Sequence, residues 1–178
     1  MSKIKEPANF LIRKLLVDIA ALDVGQMEVT RNRGPAIKKF WPATSYPEGY
    51  VNREPYCAAA VAYWVQQWLR DPLVVQAMSM SPSQLERWRC KSARAFDWLD
   101  WAKAKKLRVF GESEYEDVKL GDLMVFDMSH IGIVTGRLGK NILTIEANTG
   151  EQGTRDGEGI FRKSRPYTLT KAFISLLP

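Results

Sequence analysis

Leu107 divides this chain into two patterns, and that division limits the folds open to it. Beyond it, "GDLMVFDM", "HIGIVTGRL", "NILTIEAN" and "GIFRKSR" are short apolar or alternating runs. Gly, Asn and Asp separate them, which is how strands and turns are written. Before Leu107 the periodicity is helical. Residues Ala8 to Leu22 place Phe10, Leu11, Leu15, Val17, Ile19 and Leu22 broadly on one side of a helix ended by Gly25. A turn at Gly34-Pro35 leads into a short helix, and "PATSYPEGYVNREP" reads as a loop. Pro55 stands just ahead of a helix that begins at Cys57 and runs to about Arg70, with Ala58, Ala59, Ala60 and Ala62 small enough for close packing. Ser81 or Ser83 caps the next helix. "KSARAFDWLDWAKAKKL" forms another, with Phe96, Trp98 and Leu99 toward the core. Helices segregated from an antiparallel meander define an α+β domain. A chain of 178 residues suits one such domain, 1–178, better than two.

Composition narrows the function classes. Hydrophobic residues are 46% and charged residues 26%, as in a soluble globular protein. No apolar run approaches the roughly 20 residues that span a bilayer, so no stable membrane insertion is expected. The N-terminal "MSKIKEPANFLIRKLLVDIAAL" is interrupted by Arg13, Lys14 and Asp18, so it reads as an amphipathic helix and not as a signal peptide. The net charge of +6 favours polyanionic partners such as nucleic acid, anionic membranes or anionic cell walls. The basic residues are scattered and no nucleic-acid signature is present, so nucleic acid is not an expected partner. Two cysteines, Cys57 and Cys90, make no disulfide framework and show no zinc spacing. Cys90 reads as a packing residue, and a Cys57–Cys90 disulfide would silence any thiolate chemistry at Cys57. No cofactor and no metal are expected.

Chemistry gathers around "REPYCAAAVAYWV" and the only histidine, His130 in "DMSHIGIVTG". Thiolate is the reactive form of cysteine, and an ordinary thiol is mostly protonated near neutral pH. A helix N-terminus and a neighbouring histidine both favour the thiolate. Cys57 sits at a helix start, and His130 opens a strand. A histidine base needs a third group to hold its ring, and "ILTIEAN" supplies Glu146 and Asn148 two positions apart on one strand face. Either reaches His130 if that strand pairs antiparallel with "HIGIVTG". The backbone amide of Cys57 is a candidate oxyanion donor. Each feature alone has a plainer reading: a core-filling cysteine, a structural histidine, polar residues serving a turn.

Together these motifs resemble the CHAP family (cysteine, histidine-dependent amidohydrolases/peptidases), a branch of the papain-like fold. The resemblance is carried by "EPYCAAAVAYWV", by "KLGDLMVFDMSHIGIVTG" and by the Glu-x-Asn of "IEANTG". "DVGQMEVTRNRGPAIKKFW" is similar to the segment ahead of the cysteine in a bacterial and phage subgroup, and the likeness covers about 23–167. It implies Cys57 as nucleophile, His130 as base, Glu146 as the orienting group and Asn148 as a further polar contributor. Two departures stand out. Tyr56 precedes the cysteine where many members have Trp. The region ahead of Cys57 holds only Glu48 and Glu54, too few hard oxygen ligands for the calcium that some phage lysins of the family bind.

The function so implied is hydrolysis of a peptidoglycan amide, either at the muramoyl–alanine linkage or within the stem or cross-bridge peptides. Tyr46, Tyr50, Arg53 and Tyr56 are candidate walls of the substrate groove, and the turn "NTGEQGTRDGEG" a candidate border. The alternatives are a non-catalytic module binding wall peptide or a partner, and an acyl or peptidyl transferase with the same residues. The expected protein is a monomer made in the cytoplasm without a classical signal. It would act on the wall after release or specialised secretion, with an immunity, holin or secretion partner.

Overall fold

The computed structural model describes residues 6–150 and 157–177. The helical half comprises α1 (Glu6–Ala21), α2 (Pro35–Lys38), α3 (Cys57–Trp68), α4 (Pro72–Met78), α5 (Pro82–Trp88) and α6 (Asp97–Ala104). Proline at the first or second position opens α2, α4 and α5, where its missing N–H would be unpaired anyway. Of the two candidate serines, Ser81 is the cap of α5. It forms a capping box with Gln84, whose side chain returns to the Ser81 N–H.

The strands are β1 (Arg108–Phe110), β2 (Leu123–Phe126), β3 (His130–Leu138), β4 (Asn141–Thr149), β5 (Gly159–Pro166) and β6 (Thr170–Ser175). They form one sheet in the order β1-β6-β2-β3-β4-β5, every pair antiparallel. Helices packed on an antiparallel sheet make this an α+β protein. Side-chain alternation splits the sheet into two faces. Leu123, Val125, Ile131, Ile133, Ile145 and Ala147 join the helices in the main core. Phe110, Met124, Phe126, Val134, Ile142 and Phe173 form a smaller cluster on the opposite face. The four alanines of α3 are all fully buried, which lets that helix lie close across β3 and β4.

The first helix buries a different stripe from the one the hydropathy pattern suggests. Ile12, Leu16, Val17 and Ala20 are buried, whereas Phe10, Leu11 and Leu22 are exposed. The cause is Arg13, which belongs to the inward face. Its guanidinium meets Asp122 Oδ1 at 2.6 Å and Ser175 Oγ at 2.8 Å. Asp122 Oδ2 in turn accepts the Lys119 N–H at 2.9 Å. Just before it, Gly121 has φ +79°, and a Cβ there would lie 2.9 Å from the Arg13 carbonyl oxygen. The Gly-Asp pair is therefore a docking point: glycine admits α1 and aspartate fixes it. Trp68 adds a second pin from α3, donating to the Ile12 carbonyl at 2.9 Å.

Removing one partner of a buried ion pair leaves the other charge unpaired, at a cost of about 3–5 kcal/mol. Arg13→Met should lower stability by that order, read as a fall in the urea midpoint. Lys14→Met breaks only an exposed pair with Asp18 and should cost under about 1 kcal/mol.

Candidate active site

Cys57 is the first residue of α3, and no side chain caps that helix at Tyr56. Of the first-turn amides, that of Ala58 acts on the sulfur, as does the Ile131 amide of β3. Arg53, in the loop ahead, takes a left-handed φ of 59°, and its carbonyl is held by the Asn32 side chain at 2.7 Å. His130 opens β3 directly after Ser129, also left-handed at φ 58°. Glu146 lies on β4, where the register sets it opposite Gly132. A Cβ on Gly132 would lie 2.8 Å from the Glu146 Cγ, so the absence of a side chain there makes the space that Glu146 fills.

Glu146 is fully buried and saturated with donors. Its Oε2 accepts from His130 Nε2 at 3.0 Å and from Arg165 Nη2 at 2.6 Å. Its Oε1 accepts from Thr144 Oγ1 at 2.6 Å and Arg165 Nε at 2.9 Å. Burial alone would raise its pKa. The hydrogen bonds from Arg165 and His130 outweigh burial and hold the carboxyl well below the usual carboxylate range. A carboxylate can only accept, so Nε2 of the imidazole carries hydrogen and Nδ1 is the nitrogen left to exchange a proton. Nδ1 is buried with no partner at hydrogen-bond geometry. The other group acting on the ring is the Cys57 sulfur, through its charge and a contact short of hydrogen-bond geometry. Such contacts are often slack before substrate tightens them.

The coupling sets the titration of both groups. Burial opposes ionisation of each. For Cys57 the charge and hydrogen bond of His130 overcome burial and bring the thiol below its ordinary value. For His130 the thiolate and Glu146 overcome it and lift the imidazole above its ordinary value. Each ionised partner thus favours the ionised form of the other.

Asn148 does not share this arrangement. A bulge between Ala147 and Thr149 and a left-handed φ of 58° take it out of the two-residue alternation that would have set it on the face of Glu146. It is buried, and its backbone amide neighbours the Tyr56 hydroxyl. No hydrogen bond joins it to His130 among the described residues. Tyr56 is fully buried against Phe40, its pKa raised by burial and by the Glu28 charge, so it supports the nucleophile from beneath and forms no groove wall. Tyr50 packs on the core, and Arg53 faces solvent away from the cleft. Of the four candidate wall residues, only Tyr46 lines the groove.

That groove, about 740 Å³, ends on Cys57 and is walled by Ser45, Tyr46, Glu54, Arg94, Phe96 and Ser129. Phe96, expected in the core, is 37% exposed because it precedes α6 and turns into this cleft. Cys57 itself is only 5% exposed, so its sulfur is reachable through the groove floor alone. Cys90 is free, buried, and pushed up to about 11 by burial. Residues 151–156 of the "NTGEQGTRDGEG" turn lie outside the described residues. Among the described residues no three His, Cys, Asp or Glu side chains gather as metal ligands, and no helix is long and apolar enough to cross a membrane.

Three contributors escaped the sequence reading: Thr144, Gly132 and Arg165. Thr144 had a signal, since it lies two residues before Glu146 on the same strand. Arg165 had none, because its approach to Glu146 depends on the β4–β5 register. The chain matches no protein-family model, no curated protein and no solved structure.

Gly132→Ala should push Glu146 off His130, with the Ile145 carbonyl, 3.0 Å from the added Cβ, giving by a few tenths of an ångström and the sheet still formed. The expected result is a shift of Cys57 alkylation toward higher pH with native circular dichroism. An unchanged alkylation profile would mean that the carboxylate has moved without consequence.

Proposed function

We propose that this protein is a cysteine amidohydrolase of the papain-like CHAP type that cleaves an amide bond of peptidoglycan. The observation that carries the reading is Cys57, its thiol held below its ordinary pKa by a histidine that a buried carboxylate orients, at the floor of an open groove. Perturbed titration by a specific partner inside a cleft is a mark of working sites. The order Cys, His, Glu along the chain and the basic surface, suited to an anionic wall, support the same reading.

In the proposed reaction the Cys57 thiolate attacks the amide carbonyl, and backbone N–H groups at the start of α3 stabilise the oxyanion. His130 delivers its Nδ1 proton to the leaving amine as the C–N bond breaks, giving a thioester. The neutral imidazole then takes a proton from water, whose oxygen attacks the thioester carbonyl and expels the thiolate. Glu146 keeps the ring oriented throughout and stabilises its charged form.

Two measurements test this. Alkylation of Cys57 by iodoacetamide should persist well below pH 8.5, the ordinary thiol value, and move into the ordinary alkaline range in His130→Ala. Superimposable profiles would remove the activated nucleophile and the hydrolase with it. Purified sacculi should yield soluble fragments carrying new free amines, and water labelled with oxygen-18 should enter the matching carboxyl group. Fragments joined to an added amine acceptor without the label would make the enzyme a transferase. No release by wild-type protein, where Cys57→Ala binds sacculi equally well, would leave a binding module.

A further inference from the structure

The proposed mechanism assigns no task to Arg165, yet this guanidinium of β5 is buried against Glu146 with two hydrogen bonds, the geometry of a fork on a carboxylate. Its Nη2 also reaches Thr149 Oγ1 at 3.1 Å. The same oxygen, Glu146 Oε2, receives both Arg165 Nη2 and His130 Nε2. Phe126 lies alongside both, 5.3 Å from the imidazole centroid and 5.8 Å from the guanidinium carbon. Arg165, Glu146, His130 and Cys57 therefore form a chain of alternating charge with little access to water.

We propose that Arg165 is a positioning residue whose positive charge lets His130 work as a neutral base in the second half of the reaction. The inference rests on the cysteine-hydrolase reading and deepens it. Its basis is the charge of a buried chain. In the free enzyme the guanidinium and carboxylate cancel, and Cys57 with His130 sums to zero whether paired as ions or as neutral groups. Once the sulfur is acylated the thiolate is gone. With Arg165 present, neutral His130 again gives a net charge of zero. Without it, the buried carboxylate has only the imidazole as counterion, so the ring holds its proton. A protonated ring cannot deprotonate water. With a neutral ring, water adds its oxygen to the thioester carbon, its proton goes to His130 and the C–S bond breaks. A carboxylic acid leaves and the thiolate–imidazolium pair is restored.

The sign is the same for each titration, since loss of a nearby positive charge raises the pKa of every neighbour. Other titratable or charged groups near this chain among the described residues include Tyr56, next to Cys57, Glu54, Arg94 and Asp97 in the groove that ends on Cys57, and Lys163 on β5, whose ammonium sits on the Gly150 carbonyl. All are present in every variant below.

The test follows two profiles against pH: alkylation of Cys57 by iodoacetamide, and decay of the acetyl-enzyme formed with p-nitrophenyl acetate, read by intact mass. In Arg165→Met and Arg165→Gln both midpoints should rise: the deacylation midpoint, set by His130, by about one to two pH units, the size expected for one charge a few ångströms away at moderate dielectric, and the alkylation midpoint by less, because Cys57 lies beyond the imidazole. Arg165→Lys keeps the charge and should restore most of both shifts. A purely structural arginine would lower amplitudes and leave the midpoints unmoved, which overturns the proposal. If the single variants fail to fold, E146Q against E146Q/R165Q repeats the comparison without burying an unpaired carboxylate. Loss of Arg165 there must again raise the alkylation midpoint, and equal midpoints overturn the idea. Failure of the hydrolase reading would look different: wild-type protein would form no acetyl-enzyme at all, while the alkylation comparison would still judge Arg165.

Discussion

A carboxylate with no exposure to water is the most demanding group in this molecule. An isolated buried charge is strongly disfavoured, and Glu146 persists only because four donors converge on its two oxygens. Those donors come from β3, β4 and β5, and the room comes from a glycine on β3. The pairings Gly132 with Glu146 and Glu146 with Phe161 must therefore hold together. A slip of one residue in either ladder would send the carboxylate to the opposite face, among Ile133, Ile145 and Ala147. Sheet register and site geometry are thus one requirement.

The other half of the site depends on packing. Cys57 belongs to the helical layer and His130 to the sheet, so the closeness of sulfur to imidazole is set by how closely α3 lies on β3 and β4. The alanines of α3 set that closeness, and they share one buried core with Ile131, Ile133 and Ala147 of the sheet. Interiors are packed densely enough that one added methylene forces a shift. A larger residue at Ala58 or Ala62 would act on chemistry without touching a reacting atom. The Arg13–Asp122 pair works at the opposite end of the same layer, fixing α1 to the turn before β2.

The sequence made β2 to β5, the opening of α3 at Cys57, the opening of β3 at His130 and the capping of α5 legible, because each is encoded by residues next to one another; β1 and β6, at the other edge of the sheet, were not read. What stayed hidden depends on partners distant in sequence. Arg13 looked like the polar side of α1 until Asp122, on the far side of the chain, made it an inward residue. Phe96 looked like core because hydropathy cannot tell a core from a groove wall. Asn148 followed the two-residue rule on paper, and a bulge broke that rule at that residue. Arg165 was one basic residue among several in "GIFRKSRP", and only the β4–β5 ladder distinguishes it from Arg162.

The two cysteines isolate what makes the site. Cys57 and Cys90 are each 5% exposed, so burial by itself would raise both thiols and leave both inert. Cys90 follows that rule, and the nearby carboxylate of Asp97 adds to the effect. Cys57 departs from it in the opposite direction. The difference between them is the company of charges: an imidazolium beside Cys57, held by a carboxylate that an arginine holds in turn. Low water access, which disfavours the Cys90 thiolate, makes each of those charges act more strongly on the next. Burial is therefore not an obstacle that the Cys57 site overcomes. It is the condition under which the charge of one imidazole can act strongly on one sulfur.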